Sequence, residues 1–455
     1  MGAADRALAE AVRGAGTTRE VVLDPGALQA LPSLVARHVP GRRVLLVADG
    51  STFGAAGVAA EALLGAAGVP VETLVFPDRP RLKPLVATSE VIAGRIRARE
   101  AVPVSVGSGV VNDLTKRAAA IAGVPYVSVA TAASMDGYAA SGAALQDGSF
   151  KRTLSCDPPV AVLADLDVLA GAPSAMTGWG YGDLAGKVVA GADWMIADAV
   201  GEEVIAPGPF ALVQDHLPGW LDRPERLAGG DVTALRGLTQ GLLITGFAMQ
   251  AYGTSRPASG SDHQFSHLWE MEGLAQDGVP VSHGACVGIG CIAMLALYNW
   301  LLEQDLGGID VDRAVASYPP LARIEADVAA AFPDSAIAES AAAEVTAKQP
   351  SPDRLRARIE ALVVVWPSLR GRLKARLPTP AAMQASLRAA GAPSHPEEIG
   401  VGPRKLWTDY RRARLIRRRY TALDLLADLG RLDEAIDALF APSGFWGARR
   451  LAGAA

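Results

Sequence analysis

Residues 102–130, VPVSVGSGVVNDLTKRAAAIAGVPYVSVA, decide the fold class. Val102 to Val106 predicts a strand, Gly107 to Gly109 a tight turn, about Asn112 to Ala122 a helix, and Tyr126 to Ala130 a second strand. Strand, turn, helix and strand in that order is the repeating unit of a parallel sheet. The same alternation extends outward in both directions. Val21–Leu23, Arg43–Ala48 (RVLLVA) and Val69–Phe76 read as strands, with helical segments at about Ser51 to Ala67 and Ser89 to Arg99. The unbroken apolar run in Arg43–Ala48 suits a strand covered on both faces. Around residues 140–159 the pattern loosens into sequence containing Gly, Ser and Pro, and Val160–Ala164 supplies a last strand. The expectation is an α/β, doubly wound parallel-sheet domain over residues 1–172.

From about Met176 onward strand signals mostly vanish, and apolar residues recur at helical spacing. Residues 173–455 are therefore expected to form an all-α domain, with joints at Pro207, Pro209, Pro218, Pro319, Pro350, Pro367, Pro378 and Pro403. A chain of 455 residues and 47.1 kDa has room for two or three domains. Half its residues are hydrophobic and a fifth are charged, which excludes a long disordered chain. The net charge of −5 excludes a protein whose main task is coating nucleic acid. Three cysteines are too few to staple such a length, which points to a reducing, cytoplasmic setting. Asp5, Arg6, Glu10, Arg13, Arg19 and Glu20 leave no apolar signal-peptide core near the start. The most apolar stretch, Ala285 to Leu302, contains Asn299 and begins beside a histidine, so it reads as a buried core helix rather than a membrane span. Arg404 to Arg419 carries eight basic residues with Asp409 as its only acid. Leu406, Tyr410, Ala413, Ile416 and Tyr420 recur every three or four residues, which predicts a surface helix with arginines along its outer face, in preference to a nucleic-acid site.

Three constellations carry chemistry. Gly107, Ser108, Gly109, Val110 and Val111 lie between a strand and a helix. Glycines there let a phosphate approach the backbone, and a helix start favours an anion. The spacing does not match G-x-G-x-x-G, and a plain tight turn is the alternative. Asp49 follows an earlier strand end, where a carboxylate either takes ribose hydroxyls or caps a turn. Thr131, Ala132, Ala133, Ser134, Met135 and Asp136 follow the Tyr126–Ala130 strand, where open parallel sheets bind ligands; a self-bonded Asp turn is the alternative. The strongest signal is a histidine cluster. Of six histidines, His263, His267 and His283 fall within twenty-one residues. His263 and His267 share a face if helical, and imidazoles with a carboxylate make a divalent-metal site. Asp183, in a glycine-rich run read as a helix start, is the carboxylate candidate, with a helix cap as its alternative.

In combination, VGSGVVNDLTK, TAASMDGYAASGAAL, GWGYGDLAGK, SGSDHQFSHLWEMEG and VSHGACVGIG resemble the glycerol-1-phosphate dehydrogenases in their bacterial form. These stand within the iron-type polyol dehydrogenases and dehydroquinate synthases. The resemblance runs in order from about Arg43 to Gly290 and continues in PSHPEEIG and RRARLIRRRYTALDLL. It implies a dehydroquinate synthase-like fold: a nucleotide-binding domain, a helical domain and a metal in the cleft between them. Carried over, Asp183, His263 and His283 would hold one divalent ion (zinc, nickel or iron), and His267 and Asp136 would touch substrate. Gly107 to Val111 would bind the pyrophosphate of NAD or NADP, Thr131 to Ser134 would line the cofactor, and Asp49 would take the adenosine ribose. Ala140 stands where the family usually has a cofactor-contacting serine, with Ser141 next to it. Asp183 in place of the glutamate of dehydroquinate synthase favours the dehydrogenase side.

The implied reaction is reversible reduction of dihydroxyacetone phosphate to sn-glycerol 1-phosphate by NADH or NADPH. A sugar-phosphate cyclase of the dehydroquinate synthase kind, a related polyol or sugar-phosphate dehydrogenase and a non-catalytic nucleotide- or nucleic-acid-binding descendant are the alternatives. The expected partner is a small phosphorylated substrate, whose phosphate calls for a cation such as Lys151, Arg152 or Lys187, and the apolar content makes a homo-oligomer the expected assembly. No nucleic-acid partner and no membrane span are expected.

Overall fold

The computed structural model describes residues 3–147 and 150–447, and the side chains of 3–4 and 150–152 lie outside that description. Contacts divide the chain into two compact units, residues 1–184 with 211–255, and residues 185–210 with 256–455. The expected boundary at 172/173 does not coincide with this division, because residues 211–255 group with the first unit.

The first unit is built on strands β1 (Glu20–Asp24), β2 (Arg43–Asp49), β3 (Val71–Phe76), β4 (Ala101–Gly107) and β5 (Val127–Ala130), a hairpin of β6 (Ala143–Asp147) and β7 (Phe150–Leu154), and β8 (Ala161–Asp165). Six of them form one sheet in the order β1-β8-β5-β4-β2-β3, with every neighbour parallel. The antiparallel hairpin falls in the loosened stretch, where no strands were expected.

Alternate residues of β2 explain why the sheet is covered twice. Val44, Leu46 and Ala48 join a core with Leu31, Leu34, Val35, Ala60 and Leu64, on helices α2 (Leu31–His38) and α3 (Val58–Ala66). Leu45 and Val47 join a separate core with Ile92, Ala93, Ile96, Val111 and Leu114, on α4 (Val86–Arg99) and α5 (Gly109–Ala122). A period of two sends successive side chains to opposite faces, and both faces find helices.

The long helix α6 (Ser174–Ala199) begins in this unit. An N-terminal helix that the sequence reading did not assign, α1 (Ala3–Gly14), packs on α7 (Val232–Tyr252). Gln240 of α7 donates to Asp5 at 2.7 Å, and Arg236 pairs with Asp5 and Asp24 at 3.3 and 2.8 Å. These contacts are why α7 belongs with the sheet.

Among its described residues the second unit is helical apart from a two-residue β ladder. Its centre is α8 (Ser261–Met271) against α9 (His283–Leu301). Helix α9 is long and apolar enough to cross a membrane, but 89% of its most apolar window is buried, as a core helix requires. Pro367 does not mark a joint. Helix α10 (Pro352–Arg376) runs through it, because the buried stripe of Leu362, Trp366, Leu369 and Leu373 outweighs one lost hydrogen bond. Helix α11 (Pro403–Leu415) ends earlier than the arginine run suggested. Arg411, Arg412, Arg414 and Arg418 are paired with Asp433, Glu272, Asp424 and Glu344.

Candidate active site

Within the sheet, β2 and β4 are neighbours whose onward connections leave in opposite directions, β2 toward β3 at one edge and β4 toward β5. Such a divergence opens a crevice at the carboxyl ends of the two strands, where doubly wound sheets take ligands. Val47 pairs with Ser105, so two residues further on Asp49 and Gly107 end their strands side by side. Ser108 is the extended N-cap of α5 and its hydroxyl makes no capping bond. The amides of Gly109, Val110 and Val111 therefore open the helix with no acceptor inside it. A side chain at Gly107 would put its Cβ 2.5 Å from that of Val111, so only glycine lets the helix start so close above the strand end. Asp49 performs the capping role that stood as its alternative: its Oδ1 accepts from the Thr52 amide at 2.8 Å.

The segment after β5 is tied down by groups the sequence reading passed over. Buried Lys116 donates to the carbonyls of Gly137, Ala140 and Gly142 at 2.9, 3.0 and 2.9 Å. Tyr138 donates to the Ala132 carbonyl at 2.8 Å, and the Thr131 amide to the Gly107 carbonyl at 3.3 Å. Thr131, Ala132, Ala133 and Ser134 are thereby buried beside the end of β4. Ala140, standing in for the expected serine, is 6% exposed and contributes its carbonyl to Lys116. Lys116 lies inside the quoted VVNDLTK run, but a lysine's burial carries no sequence signature.

Asp183 is no helix cap. It lies inside α6, whose start is at Ser174, and its Oδ2 accepts from the Asp136 amide at 2.9 Å. The backbone of Asp136 thus holds the carboxylate. Helix α6 runs on past Asp183 to Gly186, at the start of the second unit. There α6, α8 and α9 approach closely: a Cβ on Gly186 would lie 2.4 Å from Asp262 Oδ2, and one on Gly290 2.3 Å from the Asp262 carbonyl oxygen. Asp193 of α6 caps α8, accepting from the amide and hydroxyl of Ser261 at 2.6 and 2.7 Å.

On this framework His263 and His267 share one face of α8, and His283 opens α9. Ring centroids are 5.3 Å apart for His263–His283, 5.8 Å for His267–His283 and 6.1 Å for His263–His267. One ligand atom each from Asp183, His263 and His283 lies within 4.8 Å of the others. The other nitrogens are engaged by acids that were not singled out from the sequence. His263 Nδ1 meets Asp262 Oδ2 at 2.5 Å, and His283 Nδ1 meets Glu270 Oε1 at 2.7 Å. A carboxylate on Nδ1 fixes the tautomer that presents Nε2 as the ligand, the arrangement common at metal-bound histidines. Spacing gives a partial signal for Glu270, seven residues after His263 on the same face. His267 is 22% exposed, and burial, then the Arg417 charge, lower its pKa to about 3, so its ring is neutral.

Of the three cation candidates only Lys187 has a described side chain. Lys187, one turn after Asp183, is wholly buried and already engaged within the fold, and the side chains of Lys151 and Arg152 lie outside the described residues.

Residues 22–173 match the iron-containing alcohol dehydrogenase family. The chain is 32% identical over 284 residues to the glycerol-1-phosphate dehydrogenase [NAD(P)+] of Halalkalibacterium halodurans, covering 62% of this chain and 70% of that protein. It is 29% identical over 418 residues to the Geobacillus stearothermophilus protein of the same name, covering 88% and 91%. A probable glycerol dehydrogenase from Sinorhizobium meliloti shares the fold, with a TM-score of 0.59 at 16% identity over 93% of this chain and 98% of that one.

Proposed function

Because the chain belongs to the glycerol-1-phosphate dehydrogenase family, we propose that it reduces dihydroxyacetone phosphate to sn-glycerol 1-phosphate with NADH or NADPH, and catalyses the reverse. The observation that carries the reading is the convergence of Asp183, His263 and His283 with carboxylates behind both imidazoles. Two neutral imidazoles and a carboxylate suit zinc, nickel or iron. When bound, such an ion supplies Lewis-acid polarisation of the ketone.

The remaining work falls to the chain. Residues 107–111 receive the pyrophosphate on open amides, Thr131 to Ser134 line the nucleotide, and the Asp49 carboxylate, besides its cap, takes ribose hydroxyls. This assigns nucleotide binding to the sheet-containing part and metal and substrate binding to the helical part. The reduction moves a hydride from the nicotinamide to the ketone carbon, and a proton from water to the ketone oxygen. His267, as a neutral ring, orients that oxygen and relays the proton, and Asp136 takes a substrate hydroxyl. Asp183 holds its orientation through the Asp136 amide. We also propose a cytoplasmic homo-oligomer, in keeping with three cysteines that form no disulfide.

Dialysis against a chelator, followed by return of zinc, nickel or iron, tests the reading. Oxidation of the reduced nicotinamide by dihydroxyacetone phosphate is expected to disappear and return. Undiminished turnover by thoroughly metal-free protein would overturn it, and conversion without net nicotinamide oxidation would favour a cyclase.

A further inference from the structure

The run VVNDLTK at 110–116 opens α5, and the reaction proposed above uses only its first two residues. Three of its polar side chains, Asn112, Asp113 and Lys116, grip the backbone of residues 137–144. Asn112 Nδ2 donates to the Gly137 carbonyl at 3.4 Å, and Asp113 Oδ2 accepts from the Ala144 amide at 3.1 Å. Lys116 Nζ donates to the carbonyls of Gly137, Ala140 and Gly142 at 2.9, 3.0 and 2.9 Å. An ammonium carries three N–H donors, and all three are used. Its side chain is fully buried, with Asp113 Oδ1 at 3.4 Å as the counter-charge. Burying an ammonium is costly unless both its charge and its donors are met, and here both are.

The gripped segment begins one residue after Asp136, whose amide donates to Asp183 Oδ2 at 2.9 Å. Packing leaves this stretch little room. A Cβ on Gly180, three residues before Asp183 on α6, would lie 1.9 Å from the Ala133 carbonyl oxygen. A Cβ on Gly246 of α7 would lie 2.9 Å from the Asp136 carbonyl oxygen. Close packing limits how far the segment moves, while the direction of the Asp136 amide follows from the curl of the chain just after it. Lys116 closes that curl by drawing three carbonyls, spread over six residues, to one nitrogen. Gly142, at a φ of 82°, ends the curl in a conformation that favours glycine.

We propose that Lys116 is a positioning residue for the metal site: it holds the Asp136 amide against Asp183 and so fixes the orientation in which that carboxylate meets the ion. The inference rests on the proposed function, in which Asp183 is a ligand. Without the ammonium, three carbonyls lose their donor, and the chain after Asp136 must reopen to find water. The Asp136 amide then no longer constrains the carboxylate. A ligand that loses the hydrogen bond behind it binds metal about 10- to 100-fold more weakly.

The test is a double-mutant cycle on the full chain, read as affinity for zinc in competition with a chromophoric chelator. Lys116→Met keeps the apolar stem and removes the charge and the donors. Its zinc affinity is expected to fall about 10- to 100-fold. Asp183→Ala is expected to cost more than about 100-fold, since it removes the ligand itself. In that background Lys116→Met is expected to cost less than about 3-fold more, because the group it acts through is gone. Cobalt(II) in place of zinc gives a second readout: its visible absorption bands are expected to shift in Lys116→Met, as a changed ligand geometry requires. A lysine that only braces the fold would lower the melting temperature and move neither readout, or would cost the same factor with and without the Asp183 carboxylate. Either result overturns the proposal. If Lys116→Met fails to fold, Lys116→Gln and Lys116→Arg run the same cycle, with smaller losses expected and the same non-additivity deciding it. Zinc affinity unmoved by Asp183→Ala would sink the metal site and this inference with it. The expected cycle in a protein that never reduces dihydroxyacetone phosphate would sink the reaction and leave the role of Lys116 standing.

Discussion

On the proposed reading, the turn at the end of β4 and the imidazole cluster of α8 and α9 would meet two binding tasks with different material. The turn is made of backbone. Its donors are the amides of Gly109, Val110 and Val111, and the side chain that matters most is the one Gly107 lacks. The cluster is made of side chains, with His263 and His283 each backed by an acid and Asp183 held by an amide. A backbone site costs nothing in side-chain burial but depends on close approach, so it is sensitive to added volume. A side-chain site buries charged and polar groups, so it needs a partner for every one of them and is sensitive to lost charge.

The largest effect should come from the side-chain site. Replacing His263 with Ala removes a proposed ligand outright, and turnover should fall by more than about 100-fold, since even residues behind a ligand are worth that much. Metal content and rate measured on the same sample check this; a fully loaded, near-normal variant would break the contrast. Next comes volume at the backbone site. Gly107→Ala puts a methyl 2.5 Å from the Val111 Cβ and must displace the first turn of α5. A fall of about 10- to 100-fold in kcat/KM for the nicotinamide nucleotide is expected, with metal content unchanged, because a small misplacement at a positioning site costs that much. Equal damage to metal binding would show that the two sites are not separable.

The smallest effect should follow Glu270→Gln, which keeps a hydrogen bond to His283 Nδ1 but removes the charge. Metal affinity should drop by about 10-fold, measured by competition with a chromophoric chelator, with nucleotide affinity untouched. Unchanged affinity would mean that the 2.7 Å contact serves packing rather than the ligand.

Much of the fold could be read because hydrophobic period is local. The continuous apolar run of β2 and the strand–glycine–helix unit at 102–130 fall where expected, and the apolar stretch after His283 is buried as a core helix. The hairpin at 143–154 was not legible, because among its described side chains only Ala143, Leu145 and Leu154 reach a core, too short an apolar alternation to stand out. Pro367 was misread for the opposite reason: a local rule predicts a break, and a long-range buried face overrules it. At the site, the imidazoles stood out by rarity and spacing. Lys116 and Asp262 did not, since a charged residue looks the same in sequence whether it meets water or a buried carbonyl.

By itself the sequence determined the alternation that makes a doubly wound sheet, the helical second part and the three side chains able to hold a cation, since propensity, period and ligand chemistry belong to individual side chains. Tertiary structure decided which acid stands behind each imidazole and that Asp183 is held from the Asp136 amide. Those outcomes depend on helices meeting at glycines far apart in the chain, and distance in space is not written in distance along it.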